Sequence, residues 1–221
     1  MCDGAVRAAE SRALRHGHAE ALFPMIERVM RDAGVTPSQL GAVAAAIGPG
    51  GFTGIRVGLA AAHGIALAAG ARLVGISSFA AVAAQIAGIG EATGETLLVA
   101  LDSRRAELYV QLFARDSGSP LAPPRALAAD QLGDYVAGVA VGRDARLLIA
   151  GDAAEAAAAA LGGRMRCAVA RASAPDAQGV AAAALAELRS GRPARPVRPF
   201  YLRPPDVTLP MRPPPIMPLL P

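Results

Sequence analysis

The chain has 221 residues, 53% of them hydrophobic, enough for one good-sized domain or two smaller ones around separate cores. Its formal net charge is +4, and all 22 basic residues are Arg. Without Lys there is no Schiff-base lysine and no phosphate-loop lysine. The small positive balance is compatible with an RNA-associated role, but evenly spread arginines give the same sum. The two cysteines, Cys2 and Cys167, lie far apart in no metal-ligand spacing, so neither a disulfide framework nor a zinc site is expected. The N-terminus has no continuous apolar core of the kind a signal peptide needs. The most apolar run, Val57 to Ala71, falls short of the roughly 20 residues that span a bilayer. A soluble, reduced, cytoplasmic protein is expected.

Asp3-Gly4 is a turn dipeptide, and Ala5 to Ser11 reads as the extended segment of a hairpin whose preceding strand is almost absent. His18 to Ala33 reads as an amphipathic helix: Ala21, Leu22, Met25, Ile26, Val29 and Met30 repeat at helical spacing, and Gly34 stops it. Thr36-Pro37 opens a short helical turn. Ala42 to Ile47 reads as a strand buried on both faces. A glycine-rich turn, Gly48 to Gly54, follows. A second helix is expected over about Thr53 to Ala69, with Thr53 as N-cap. Arg72 to Ile76 reads as a strand and Phe79 to Ala87 as a helix.

Gly88 to Gly94 reads as a boundary. Beyond it, Leu97 to Leu101 and Glu107 to Phe113 read as neighbouring strands, and Asp116 to Arg125 as a polar loop. Leu147 to Ala150 is a strand, followed by an Ala-rich helix to Leu161. Arg166 to Ala170 is a further strand and Ala177 to Arg189 a helix. From Arg192 onward Pro and Arg dominate, as in an extended tail. Strands alternating with helices predict an α/β architecture. The expected organisation is a first lobe over 1–94, a smaller second lobe with the last helix over 95–191, and a Pro/Arg-rich tail over 192–221.

The glycine turn is the clearest candidate for chemistry, because amides at a helix N-terminus can cradle phosphate. The specific nucleotide motifs fail. A phosphate loop needs Gly-Lys-Ser/Thr, and Thr53 stands where a dinucleotide fingerprint wants its third glycine. No Asp or Glu occurs between Ala33 and Gly90, which also removes any carboxylate metal site there. A tight turn that needs glycine for positive φ and close packing is the favoured reading. In the following helix Gly54, Gly58 and Ala62 recur every fourth residue, so one face is nearly bare backbone. That face fits an internal helix and a subunit interface equally well.

Other candidates are weak. His16 and His18 lie two apart, not four, and His63 stands alone. Gly75 to Phe79, with Ser77 and Ser78, lacks the second glycine of a nucleophile elbow. Asp102 and Glu107 have no defined partner, and Asp102 to Arg105 reads equally as a solvated turn. No catalytic constellation, cofactor site or metal site is expected.

The run Gly48-Pro49-Gly50-Gly51-Phe52-Thr53-Gly54-Ile55-Arg56-Val57-Gly58 resembles the signature of the TsaB (YeaZ) family. His18-Ala19-Glu20 with Leu22 to Ile26, including Met25, is similar to that family's first helix. Leu73 to Ser78, Leu101 to Tyr109, and Tyr201-Leu202-Arg203 with Asp206 to Pro210 follow in the family's order. The resemblance implies a two-lobed actin-like, Hsp70-like ATPase superfold with RNase H-like mixed sheets. It implies a non-catalytic subunit of the machinery that makes threonylcarbamoyladenosine in tRNA. The implied partners are the catalytic paralogue TsaD, the ATPase TsaE, tRNA through the complex, and a possible second copy of the chain, with no membrane. The first two helices are the implied docking face, carrying the signature residues from Gly48 to Ala62, Arg56 among them, with His18, Glu20 and Met25.

TsaD itself carries a His-x-x-x-His metal pair where Ser78 and Val82 stand, and a glycine-pair phosphate turn where Arg104, Arg105 and Ala106 stand. Both differences favour the partner over a catalytic or glycoprotease-like paralogue. The family opens with a strand and an Asp-Thr turn, and that first strand is expected to be missing here. An accessory tRNA-binding module is a further alternative, since six arginines and a single acid, Asp206, lie between Arg189 and the end.

Overall fold

A computed structural model describes residues 1, 4–14, 17–86, 96–139, 146–163, 165–170, 174–191 and 197–203. Cys2, Asp3, His16, the expected boundary at Gly88 to Gly94, and the tail from 204 onward lie outside the described residues.

Helix α1 spans His18–Ala33, as its periodicity predicts. Gly34 ends it in the left-handed region at φ 65°, its amide bonding back to Met30 and Arg31 carbonyls. None of its sixteen residues is buried; Leu22, Ile26 and Met30 are half covered. The expected hairpin strand before it does not form. Ala5 makes one isolated bridge, and residues 6–14 have no regular pairing. Backbone partners make a strand; this segment is held instead by a side-chain clasp, with Arg28 donating to Glu10 at 2.6 and 2.9 Å.

Strand β1 (Ala42–Gly48), helix α2 (Phe52–Ala69) and strand β2 (Arg72–Ser77) form a strand–helix–strand unit that closes into one parallel strand pair. The helix begins earlier than expected. The Ile55 amide bonds to the Gly51 carbonyl at 3.0 Å, so Gly51 is the N-cap and Thr53 lies inside the first turn without capping it. Ile55, Leu59, Ala62 and Ala66 turn inward, with the first three packing on Ala45. The helix is long and apolar enough to cross a membrane by composition, yet this face is packed on its own sheet. Strand β1 departs from the doubly buried expectation: only Ala45 and Gly48 are buried. Its outer edge pairs with no strand among the described residues, and apolar clefts open along both of its faces.

Helix α3 (Ser78–Ile86) lies between the two sheets. Phe79, Val82 and Ile86 pack on Leu97, Val99, Leu101 and Phe113 of the second sheet, while Ala81 faces Val74 and Ile76 of the first. The second sheet comprises β3 (Thr96–Asp102), β4 (Glu107–Ala114), β5 (Arg125–Ala128), β6 (Leu147–Ala150) and β7 (Cys167–Val169). Its order is β5-β4-β3-β6-β7, antiparallel on the β4 side of β3 and parallel on the β6 side. Strand β5 and helix α4 (Leu132–Ala137) lie where the sequence reading placed nothing. Six residues are too few for a periodic signal, but Leu132 and Val136, four apart, are fully buried. Helix α5 (Ala154–Leu161) covers the same face.

Helix α6 (Ala177–Arg189) has the predicted span, with Asp176 accepting the Gly179 amide at 2.7 Å as N-cap. It packs on α3 and on the first sheet, where Val180 and Ala184 meet Val74 and Ile76. A strap then crosses back over residues 197–203. Val197 joins the α2–β1 cluster, Phe200 the α3–β3 cluster, and the Phe200 amide bonds to the Ile47 carbonyl at 2.8 Å. A parallel first sheet and a mixed second sheet, with helices packed on them, make the α/β architecture that the alternation of elements predicts.

Candidate functional site

The glycine turn sits at the C-terminal end of β1, where the strand runs out and α2 begins. Gly48 has φ 113°, and a Cβ placed on it would lie 2.5 Å from the Phe200 carbonyl oxygen of the strap. Both facts require glycine. Gly50 lies against Ile55, while Gly51, Gly54 and Gly58 face open space, where a Cβ would meet nothing within 4 Å. The turn therefore serves chain packing at Gly48 and leaves a bare surface beyond it.

That surface is one wall of a groove of about 940 Å³ between α1 and α2, floored by β1. From α1 it is lined by His18, Leu22, Ile26 and Met30, and from α2 by Phe52 to Ile55, Gly58, Ala61, Ala62 and Ile65. Its walls are overwhelmingly apolar. The small-residue stripe divides: Gly54 is exposed, Gly58 half-buried, and Ala62 buried on Ala45. Of the remaining signature residues, Thr53 lines the groove, whereas Glu20 and Met25 lie on α1 outside its lining.

Arg56 stands on the outer face of α2 and closes a three-membered cluster. Its guanidinium carbon lies 3.7 Å from the Phe52 ring centroid, its Nε donates to the Tyr201 hydroxyl at 3.1 Å, and the Phe52 and Tyr201 rings stack at 5.5 Å. Phe52 is nevertheless 50% exposed. The sequence reading placed Tyr201 only within a motif. Its contact with Phe52 joins opposite ends of the chain, and no local spacing signals it.

The other candidates separate. Ser78 is 5% exposed and Val82 fully buried, both within the core face of α3. Ser77 accepts the Ala80 amide at 3.0 Å, a helix-start contact. Asp102 accepts the Arg104 amide at 2.7 Å and lies 3.4 Å from its guanidinium Nε, and Glu107 pairs with Arg203 at 2.9 Å, so each carboxylate is matched to its own cation. Arg104 holds φ 60° in the turn between them. His63 lies 3.3 Å from the Val197 carbonyl. Cys167 is a free, partly buried thiol, and burial pushes its pKa up. No group of three or more His, Cys, Asp or Glu side chains comes together among the described residues.

The groove and its glycine turn fall inside a match to a family model described as "TsaD: tRNA N6-adenosine threonylcarbamoyltransferase", which spans residues 12–186. The chain is 33% identical over 100 residues to the tRNA threonylcarbamoyladenosine biosynthesis protein TsaB of Escherichia coli (strain K12). That match covers 45% of this chain and 42% of the relative, less than half of its length. Over 60 residues it is 53% identical to a tRNA N6-adenosine threonylcarbamoyltransferase of Erythrobacter litoralis, covering 27% of this chain and 17% of that one. Among solved structures, YeaZ from Pseudomonas aeruginosa superposes with a TM-score of 0.68 at 26% identity, covering 86% of this chain and 87% of that one. With a family-model match over most of its length, the chain belongs to the tRNA N6-adenosine threonylcarbamoyltransferase family, and within it is similar to the TsaB and YeaZ proteins.

Proposed function

We propose that this chain is a non-catalytic subunit of the complex that forms threonylcarbamoyladenosine in tRNA, and that it docks on the catalytic TsaD-type paralogue through the α1–α2 groove. The observation that carries the docking face is the groove itself: Leu22, Ile26 and Met30 of an amphipathic helix face bare backbone at Gly54 and Gly58, with nothing between them. Small residues let another helix approach closely, and an uncovered apolar surface of this kind marks an interaction site. The family model spans both α1 and α2, which supports a like pair of helices on the transferase paralogue. Two like faces pair about a pseudo-twofold axis, which also permits a homodimer.

The core position of Val82 and Ser78 supports the non-catalytic reading. Where the resemblance sets a histidine pair in TsaD, these side chains pack inward, and valine cannot ligate a metal. The arginines at 104 and 105 likewise stand where that paralogue has its phosphate turn. The ATPase TsaE and tRNA enter through the assembled complex, and the site of action is the cytoplasm. The test is reconstitution. Given tRNA and threonylcarbamoyl-adenylate, this chain alone yields no modified adenosine, and adding it to its TsaD paralogue raises the yield. Robust transfer by this chain alone overturns the reading.

A further inference from the structure

We propose that Phe52 is the anchor side chain of this docking face and that Tyr201, from the far end of the chain, is its positioning residue. The inference rests on the docking reading above and adds which residue enters the partner and what presets it. The partner is the transferase paralogue, offering an apolar pocket to a single aromatic ring.

Phe52 opens α2 and lines the mouth of the groove, half exposed. An exposed ring on a helix end ordinarily samples several rotamers. This one is held on two contacts that also hold each other. Tyr201 stacks on it with ring planes 25° apart, Arg56 lies over it at 3.7 Å, and Arg56 donates to the Tyr201 hydroxyl. Stacked aromatic pairs and cation–π contacts each favour the one arrangement. Tyr201 in turn is fixed from both sides along the strap. The Phe200 amide bonds to the Ile47 carbonyl at 2.8 Å, and Arg203 pairs with Glu107 of β4 at 2.9 Å. The strap thus carries the geometry of both sheets to the rim of the groove.

Interfaces concentrate affinity in a few aromatic anchors, and an anchor ordered before binding loses less rotamer freedom on binding. A Cβ at Gly51 or Gly54 would meet nothing within 4 Å, so a partner surface has room beside the half-exposed ring.

The test measures affinity of the full-length chain for the TsaD-type paralogue by calorimetry, beside thermal melts of each variant. Phe52→Ala weakens binding by about thirtyfold or more. Tyr201→Ala weakens it by roughly two- to tenfold, the scale of one freed side chain. Tyr201→Phe, which keeps the stack, binds within about threefold of the parent, as expected if stacking dominates. The decisive readout is the double variant: with Phe52 already removed, Tyr201→Ala has no further effect on binding, because a positioning residue acts only through the group it positions. Additive losses overturn the positioning role, as does unchanged binding by Tyr201→Ala. Unchanged binding by Phe52→Ala, where Gly58→Leu breaks the complex, overturns the anchor while leaving the docking face standing. If both variants bind normally, the docking face is misplaced and the inference falls with it.

Discussion

Gly179 of α6 packs directly on the backbone carbonyl of Ala81 in α3. A Cβ on Gly179 would lie 2.4 Å from that oxygen and 2.8 Å from the Gln85 side chain. This crossing is where the last helix closes the first sheet, so two backbones meet with no side chain between them. Gly179→Ala is expected to destabilise by about 1–3 kcal/mol, the usual cost of overpacking. In a domain of this size that lowers Tm by roughly 2–12 °C. An unchanged melt shows that the helices part easily and that the contact is not a constraint.

The small-residue stripe on α2 gives opposite outcomes at neighbouring positions. Gly58 faces open space, whereas Ala62 is 6% exposed and packs on Ala45. Gly58→Leu is expected to leave the melt nearly unchanged and weaken association with the paralogue roughly ten- to hundredfold. Ala62→Leu is expected to lower Tm instead. Pull-down and size-exclusion beside thermal melts separate the two. A large drop in Tm for Gly58→Leu with normal binding places that residue inside the fold.

The Glu10–Arg28 clasp predicts acid sensitivity of the N-terminal segment. The hydrogen bond from Arg28 holds the Glu10 carboxyl below its ordinary range, with the charges of Arg28 and Arg12 adding to it. A carboxylate whose folded pKa is depressed contributes fully above its unfolded value, about 4.3, and loses the contribution as pH falls through the folded one. Amide protection over residues 6–14, taken relative to the intrinsic exchange rate at each pH, should therefore fall in acid more than that of neighbouring segments and hold toward alkaline pH. Protection there that is indifferent to acid shows that the clasp does not hold the segment.

Burial raises the pKa of the Cys167 thiol. Because the thiolate is the nucleophile, alkylation at Cys167 near neutral pH is expected to be slower than that of free glutathione and to speed up as pH rises. Peptide-mapped iodoacetamide labelling checks this. Labelling as fast as glutathione shows that the site opens.

Helices α1 and α6 were legible in the sequence to the residue: α1 is long, periodic and stopped by Gly34, and α6 is a long Ala-rich run, its Asp176 cap seen only in the structure. The start of α2 was read one residue late. Threonine and glycine cap about equally by propensity, so propensity does not choose between Thr53 and Gly51; the Gly51 carbonyl is the one that receives the Ile55 amide. Strand β5 and helix α4 were not legible, since their only firm apolar pair is Leu132 and Val136. At the site, the need for glycine was legible as positive φ and close packing, and both hold at Gly48, but the partner in that packing was not legible. Gly48 is required by the Phe200 carbonyl from the far end of the chain, and no window of sequence contains both. The equal choice between internal and interface faces also had a cause: the stripe divides, Ala62 packed on Ala45 and Gly58 facing open space.

The return of α6 and the strap to the first sheet has a consequence for biosynthesis. Strand β1, the glycine turn and α2 leave the ribosome early, yet Val180, Ala184, Val197 and Phe200, which cover them, are translated near the end. Contacts so distant in sequence form late. While the second sheet is being translated, Val74, Ile76 and Ala81 lack their cover, and apolar surface on a nascent chain is prone to association. The second sheet, by contrast, is built from consecutive strands and closes before the strap emerges. The sheet that is translated first is therefore completed last, and its nascent apolar face stays uncovered until α6 and the strap emerge.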